Sequence, residues 1–432
     1  MPLWPTTRGA LIGVIGLLPL VLFPHWLTLM VGAAVWVCLL VLDGLLTPRP
    51  ADVDLSRISP GQTRLGTTAR GRLRVTNRSG RLLRLRLRDA WNPTAGLSDQ
   101  RAELRVPSGE RRTVNQEFTP TRRGLHGSRA VATAALGPMG LATRRSTRQV
   151  PGTLVALHAF GARRHLPSRV RRLHEIEGLA AVHQRGAGTE FDSLRDFVDG
   201  DDVRSIDWRA TARRRSVVVR TWRPERDRHV LIVVDTSRTS AARVGDGPRL
   251  DAALDATLLL TALAAEAGDR VDVLCADRIP HVSVAGSSTR TVLHDVVAAT
   301  GPVEPALVET DWEMVADQIR RRTRKGALVV VLTPVEAAAV RQGLLPVTAR
   351  IATDHPLVVA SVQDPSLQAM TRERGSVTDV YRAASAEADL RVRDGVGRAL
   401  ERSGAHVVDA GPEDLPRALA DQYLALKAAG KL

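Results

Sequence analysis

Residues 9–42 of this 432-residue chain contain no Asp, Glu, Lys or Arg, and no other feature limits its fold so strongly. About 20 apolar residues cross a bilayer as one helix. The run is too long for one comfortable span, and Pro24 and His25 fall in its middle. Proline there removes a backbone donor and favours a turn. The pattern predicts two membrane helices, roughly 10–23 and 26–46, joined by a very short hairpin. The first is short, so it is expected to borrow residues 3–7 or to draw Arg8 to the interface by snorkelling. Trp4 and Trp26 suit the interfacial belt, and Arg8 before the pair with Arg49 and Arg57 after it puts both ends in the cytoplasm. A signal peptide followed by one span is the competing reading, but no convincing small-x-small cleavage site follows Phe23.

Lys and Arg number 61 against 46 Asp and Glu, a formal net charge of +15. Almost all the positive charge is Arg, since the only lysines are Lys325, Lys427 and Lys431. That balance suits an anionic partner such as membrane lipid, nucleic acid or an acidic protein; an Arg- and Ala-rich coding bias explains it equally well. The two cysteines, Cys38 and Cys275, lie in separate apolar runs and form neither a disulfide framework nor a C-x-x-C metal signal.

Residues 49–155 read as strands. Leu83, Leu85 and Leu87 alternate with Arg84, Arg86 and Arg88, and Leu73 and Val75 with Arg72 and Arg74. This is period 2, with one buried and one wet face. Turn chemistry at 77–80 (N-R-S-G), 107–109, 120–124 and 137–140 separates the runs. The expectation is a small antiparallel β-sandwich whose Arg-rich face lies near anionic head groups or is simply solvated.

From about residue 226 apolar runs alternate with helical patterns. Strands are expected at 229–234, 271–275, 327–332, 357–362 and 405–408. Helices are expected at 249–267, 289–299 and 312–322, with a final one at 415–429. This order predicts a doubly wound, mainly parallel α/β sheet spanning 226–432, with ligands at the carboxyl ends of its strands. The first such end reads Asp235-Thr236-Ser237-Arg238-Thr239-Ser240. This D-x-S-x-T/S pattern resembles the metal-ion-dependent adhesion site of von Willebrand factor A (vWA) domains. A carboxylate and two hydroxyls on a tight loop offer hard oxygens to Mg²⁺. In that family a Thr and an Asp from later loops complete the site. Thr310 is the candidate Thr, although Thr310-x-x-Glu313 also reads as a capping box. The expected Asp is absent from Thr333-Pro334-Val335-Glu336, which leaves Glu336 as the acidic candidate and points to a degenerate site.

Between the two regions, residues 156–225 carry a long charged string. From Gly186-x-Gly188-x-Glu190-Phe191 it runs through Leu194-Arg195 to Gly200-Asp201-Asp202-x-Arg204-x-Ile206-Asp207-Trp208 and Arg213. Acidic residues Glu190, Asp201, Asp202 and Asp207 face Arg195, Arg204 and Arg213 at a density that suggests a salt-bridge network, with Trp208 as a large anchor. Two uses fit: docking onto the α/β domain, or presenting a charged surface to a partner. The string resembles the signature of the domain-of-unknown-function 58 family, with Phe197 in place of its usual Tyr. R-R-G at 122–124 and G-P-x-G-L at 137–141 extend the resemblance, which covers essentially the whole chain. It implies a two-span N-terminus, a vWA-like C-terminal half and partnership with a MoxR-type AAA+ ATPase.

No G-x-x-x-x-G-K-[ST], G-x-S-x-G or H-E-x-x-H occurs, and Gly186-x-Gly188 lacks the third Gly of a dinucleotide fingerprint. Arg320 to Arg324 sit at a helix end, where cations favour the dipole, so no nucleic-acid partner is expected. The leading expectation is a non-enzymatic, membrane-tethered adaptor working with the ATPase in protein assembly or maturation. The alternatives are an envelope scaffold without ATPase or a metal-assisted hydrolase at Asp235.

Overall fold

The computed structural model describes residues 3–183, 190–199, 201–223, 228–286 and 288–432. The Gly186-x-Gly188 start, Gly200 and Glu225 of the charged string lie outside them. The chain is multi-domain mixed α/β and divides into two compact units, Met1–Ala159 and Phe160–Leu432.

In the first unit, helices cover Thr7–Ile15, Pro19–Leu22 and Trp26–Leu46. The break falls at Pro24 and His25, as the proline requires. Among the described residues one helix, beginning at Trp26, is long and apolar enough to cross a membrane. Its side chains are mostly exposed, including Leu29, Met30, Val35 and Val41. Trp36 Nε1 donates to the Gly9 carbonyl at 2.8 Å, which brings the first apolar segment against the second. Of residues 3–7 only Thr7 joins the first helix. Leu3–Pro5 is a strand paired antiparallel with Ala142–Arg144, and Thr6 caps the helix by accepting from the Gly9 N–H.

Two sheets follow. One joins Leu3–Pro5, Ala142–Leu157, Gly124–Leu136, Leu83–Trp91 and Arg101–Val106 in that order; the other joins Val53–Ile58, Ala69–Asn77 and Arg111–Phe118. The Leu/Arg alternation works as read: Leu83, Leu85, Leu87 and Trp91 are buried and the arginines between them exposed. The sandwich is not wholly antiparallel. Gly61–Arg64 runs parallel to residues 154–157, because it pairs with a distant strand and not through a hairpin. Leu73, Val75, Leu83 and Val131 fill the space between the sheets. Beside them lies a buried ion pair, in which Arg57 grips Asp89 at 2.8 and 2.7 Å. Gln116, Ser128 and Trp91 Nε1 donate to the same carboxylate, so its remaining lone pairs are satisfied.

The end of the apolar helix is built into this unit. Asp43 is fully buried and accepts from the N–H groups of Met139, Leu141 and Ala142 at 2.7–2.8 Å. A side chain at Gly137 would strike that carboxyl group, since its Cβ would lie 2.3 Å away. Gly140 holds φ +72° in the same loop, a conformation that favours glycine. The G-P-x-G-L string is thus a backbone nest for Asp43.

In the second unit a six-stranded sheet has the order Pro280–Ala285, Arg270–Ala276, His229–Asp235, Leu328–Leu332, Leu357–Val362, Ala405–Ala410. All neighbours are parallel except the Pro280–Ala285 edge, a strand the sequence reading missed. Its exposed alternation with short apolar content gives little signal. The central strands are buried on both faces. Val230, Ile232 and Val234 pack toward Arg249–Glu266 and Leu415–Ala428. Leu231 and Val233 pack toward Trp312–Arg322 and Leu345–Asp354. Lys427 of the last helix is buried and pairs with Asp269 and Glu177, each at 3.2 Å.

Candidate functional site

In chain order the sheet reads 3-2-1-4-5-6. Its topological switch point therefore lies between His229–Asp235 and Leu328–Leu332, where open α/β sheets place their ligand crevice. Asp235 ends the first of these strands and Thr333 follows the other. Thr310 arrives from the loop before Trp312–Arg322, and Ser237 and Thr239 from the turn after Asp235.

These five residues meet. Asp235 Oδ1 accepts from the Ser237 N–H at 2.9 Å and the Thr310 hydroxyl at 2.6 Å. Oδ2 accepts from the Thr333 hydroxyl at 2.7 Å and the Thr239 hydroxyl at 3.4 Å. Ser237 Oγ and Thr239 Oγ1 lie 3.0 Å apart. Asp235, Ser237, Thr239 and Thr333 are buried. They form the floor of a cleft of about 220 Å³ walled by Trp312 and Gly343, with an Arg238–Glu309 ion pair at the rim.

Thr310 does not cap the following helix; Asp311 does, accepting from the Met314 N–H, which frees the Thr310 hydroxyl for Asp235. Glu336 does not join the cluster either. It pairs at 2.6 Å with Arg249, the first residue of the helix Arg249–Glu266. The residue missed by sequence reasoning is Thr333. Its signal was its place at the carboxyl end of the strand across the switch point.

A carboxylate has about four lone-pair positions, and four donors meet Asp235. The cluster offers one carboxyl group, and Thr333 stands where a second would be needed. Among the described residues no three His, Cys, Asp or Glu side chains gather as a metal-binding group. Mg²⁺ is usually held by one or two carboxylates with open positions for water; here the single carboxylate has both oxygens engaged by its own neighbours.

The charged string forms a separate small element. Glu190–Asp196 pairs antiparallel with Val218–Arg223; the Glu190 side chain lies outside the described residues. Asp201 takes both guanidinium nitrogens of Arg195, at 2.7 and 2.5 Å, and the Val198 N–H. Asp202 accepts from the Arg204 N–H. Asp207 caps the helix Trp208–Arg214 through the N–H groups of Arg209 and Ala210, and Arg220 reaches its other oxygen at 2.8 Å. These contacts, led by the Ala210 N–H and then Arg220, hold the Asp207 carboxyl below its ordinary range. Among the described residues of this string, two ion pairs are present, Arg195–Asp201 and Arg220–Asp207, while Arg204, Arg209 and Arg213 are exposed. Trp208 is no internal anchor: it is 68% exposed, because it opens the helix on its outer side.

Residues 193–398 match the family model described as protein of unknown function DUF58. The uncharacterized proteins Rv1480 of Mycobacterium tuberculosis and Mb1516 of Mycobacterium bovis are each 29% identical over 182 residues, 42% of this chain and 56% of theirs. The chain therefore spans little more than half the length of these relatives. Among solved structures, Escherichia coli alpha-2-macroglobulin matches at 18% identity over 24% of this chain and 7% of that one, with a TM-score of 0.20. A CARDB domain from Pyrococcus furiosus matches at 15% identity over 23% and 87%, with a TM-score of 0.17. Both are too distant to inform the site. The region that holds Arg195, Asp207, the Asp235 cluster and Thr333 is covered by the family match, so over residues 193–398 the chain is similar to the family described as protein of unknown function DUF58.

Proposed function

We propose that the chain is a non-enzymatic, membrane-anchored interaction protein whose vWA-like α/β unit takes a protein partner at the Asp235 cleft. The observation that carries this reading is the cleft itself. Its volume of about 220 Å³ falls below the roughly 300–1,000 Å³ of small-molecule sites and admits one protruding side chain. A general base needs an acceptor position turned toward its substrate. Both oxygens of Asp235 are engaged by its own neighbours. The sheet order and the D-x-S-x-T turn support the vWA likeness.

The two apolar segments read as a hairpin of two spans, with Arg8 and Arg49 on the cytoplasmic side. The family resemblance implies a MoxR-type AAA+ ATPase as the partner, acting in protein assembly or maturation. A photo-crosslinker at Gln342, exposed on the cleft wall, tests this in the membrane-embedded full chain under nucleotide-trapping conditions. An adduct with an AAA+ ATPase is expected. Adducts restricted to envelope components would favour a scaffold without ATPase, and no adduct would remove the cleft as a docking site. A hydrolytic activity of the purified chain that disappears in Asp235→Ala would overturn the non-enzymatic reading.

A further inference from the structure

We propose that the rim of the sandwich around the end of the apolar helix is a binding surface for anionic phospholipid head groups. The inference rests on the membrane reading above. The helix Trp26–Leu46 has 21 residues, roughly 31 Å at 1.5 Å per residue, against a hydrocarbon core of about 30 Å. With Trp26 at one interface, the turn from Asp43 to Leu46 lies at the other.

That turn is fixed to the sandwich, so whatever surrounds it is held at head-group level. Met139 is bound to Asp43 through its N–H, and the Arg81 guanidinium reaches the Leu45 carbonyl at 3.3 Å. Trp4 pairs with Thr143 in the adjoining strand. Trp4 is 49% exposed, Leu82 49% and Met139 47%. These are large apolar side chains on three separate loops or strands, all tied to one helix end.

Cations stand beside them. Arg145 lies over the Trp4 ring at 5.5 Å, and Arg84 reaches the Pro138 carbonyl at 3.3 Å. Arg81, Arg84 and Arg145 are exposed. Among the described residues none of them has an acidic partner, whereas Arg57, Arg78, Arg86 and Arg112 of the same unit do. A guanidinium hydrogen-bonded to a carbonyl keeps other N–H donors for a phosphate. Apolar tips beneath unpaired arginines match the layering of acyl chain and anionic phosphate. The lipid-facing part is thus this rim, and not the whole Arg-rich face of the strands.

The test uses the full chain in nanodiscs of phosphatidylcholine with 30% phosphatidylglycerol, and native mass spectrometry of the lipids retained after detergent transfer. Retained phosphatidylglycerol is expected to exceed its bulk share several-fold, and Arg81→Gln/Arg84→Gln/Arg145→Gln to bring it back to that share. Should the triple variant misfold, the single reversal Arg145→Glu is expected to lower the enrichment at least twofold. Bulk-share retention by the wild type, or enrichment unchanged in the variants, would overturn the proposal. Alkaline carbonate separates the two readings: a chain that washes off membranes fails the membrane reading, and one that stays without lipid preference fails only this inference.

Discussion

Asp43 brings a carboxyl group to the last turn of an otherwise apolar helix, and three backbone N–H groups receive it. Asp43→Ala leaves those buried donors without an acceptor and is expected to cost about 3 kcal/mol or more, read as a lowered thermal midpoint in detergent. An unchanged midpoint would mean that the nest contributes nothing. Thr333 offers the complementary gain. Thr333→Asp sets a second carboxylate beside Asp235, and the variant is expected to rise in thermal midpoint by several degrees with Mg²⁺ while the wild type stays flat. A Mg²⁺ response in the wild type would contradict the account of a saturated Asp235. Both residues show where sequence reading stopped. Asp43 was seen only as the end of an uncharged run, since its partners are amides 96–99 positions away and amides carry no side-chain signature. Thr333 was read as a missing Asp, although a hydroxyl there serves Asp235 equally well as a donor.

At the scale of elements, the strands were legible wherever burial imposed a period. Leu83 to Trp91 alternates on one face, and His229 to Val234 is apolar on both. Less legible were two edge strands: Leu3–Pro5, whose partner is the distant segment 142–144, and Pro280–Ala285, which pairs with the preceding strand but is largely exposed. The pairing of His229–Asp235 with Arg270–Ala276 carries a pH-sensitive contact. Burial raises the Asp272 carboxyl, but His229, the Gly286 N–H and Arg270 outweigh it and hold it at about 2, below its ordinary 3.8. His229 Nε2 lies 3.0 Å from it. A depressed carboxyl contributes stability that is present above the ordinary value and lost as pH falls toward the folded one. The contribution is about 2 kcal/mol, and it should disappear between about pH 4 and pH 2. Denaturant unfolding of the wild type across that window is expected to weaken more steeply than that of Asp272→Asn. Parallel curves would remove the contact from the acid response.

For the whole molecule, the long apolar helix beginning at Trp26 makes a prediction about the cysteines. Cys38 is exposed on that helix and Cys275 is buried in the sheet. In bilayers a charged maleimide is expected to label neither; mild detergent should open Cys38 alone, and denaturant both. Rapid labelling of Cys38 in intact membranes would place the helix outside the lipid. The chain divides into two units after Ala159, ahead of the change from period-2 strands to alternating strand and helix near residue 226. The stiffness of the joint after the anchor was not visible in the sequence. In the proposed membrane-anchored arrangement, the Asp43 nest leaves no slack between helix and sandwich. The sandwich must therefore inherit the tilt and azimuth of the helix. A rotation of the helix in the bilayer would be transmitted to it as torque, as through a welded axle.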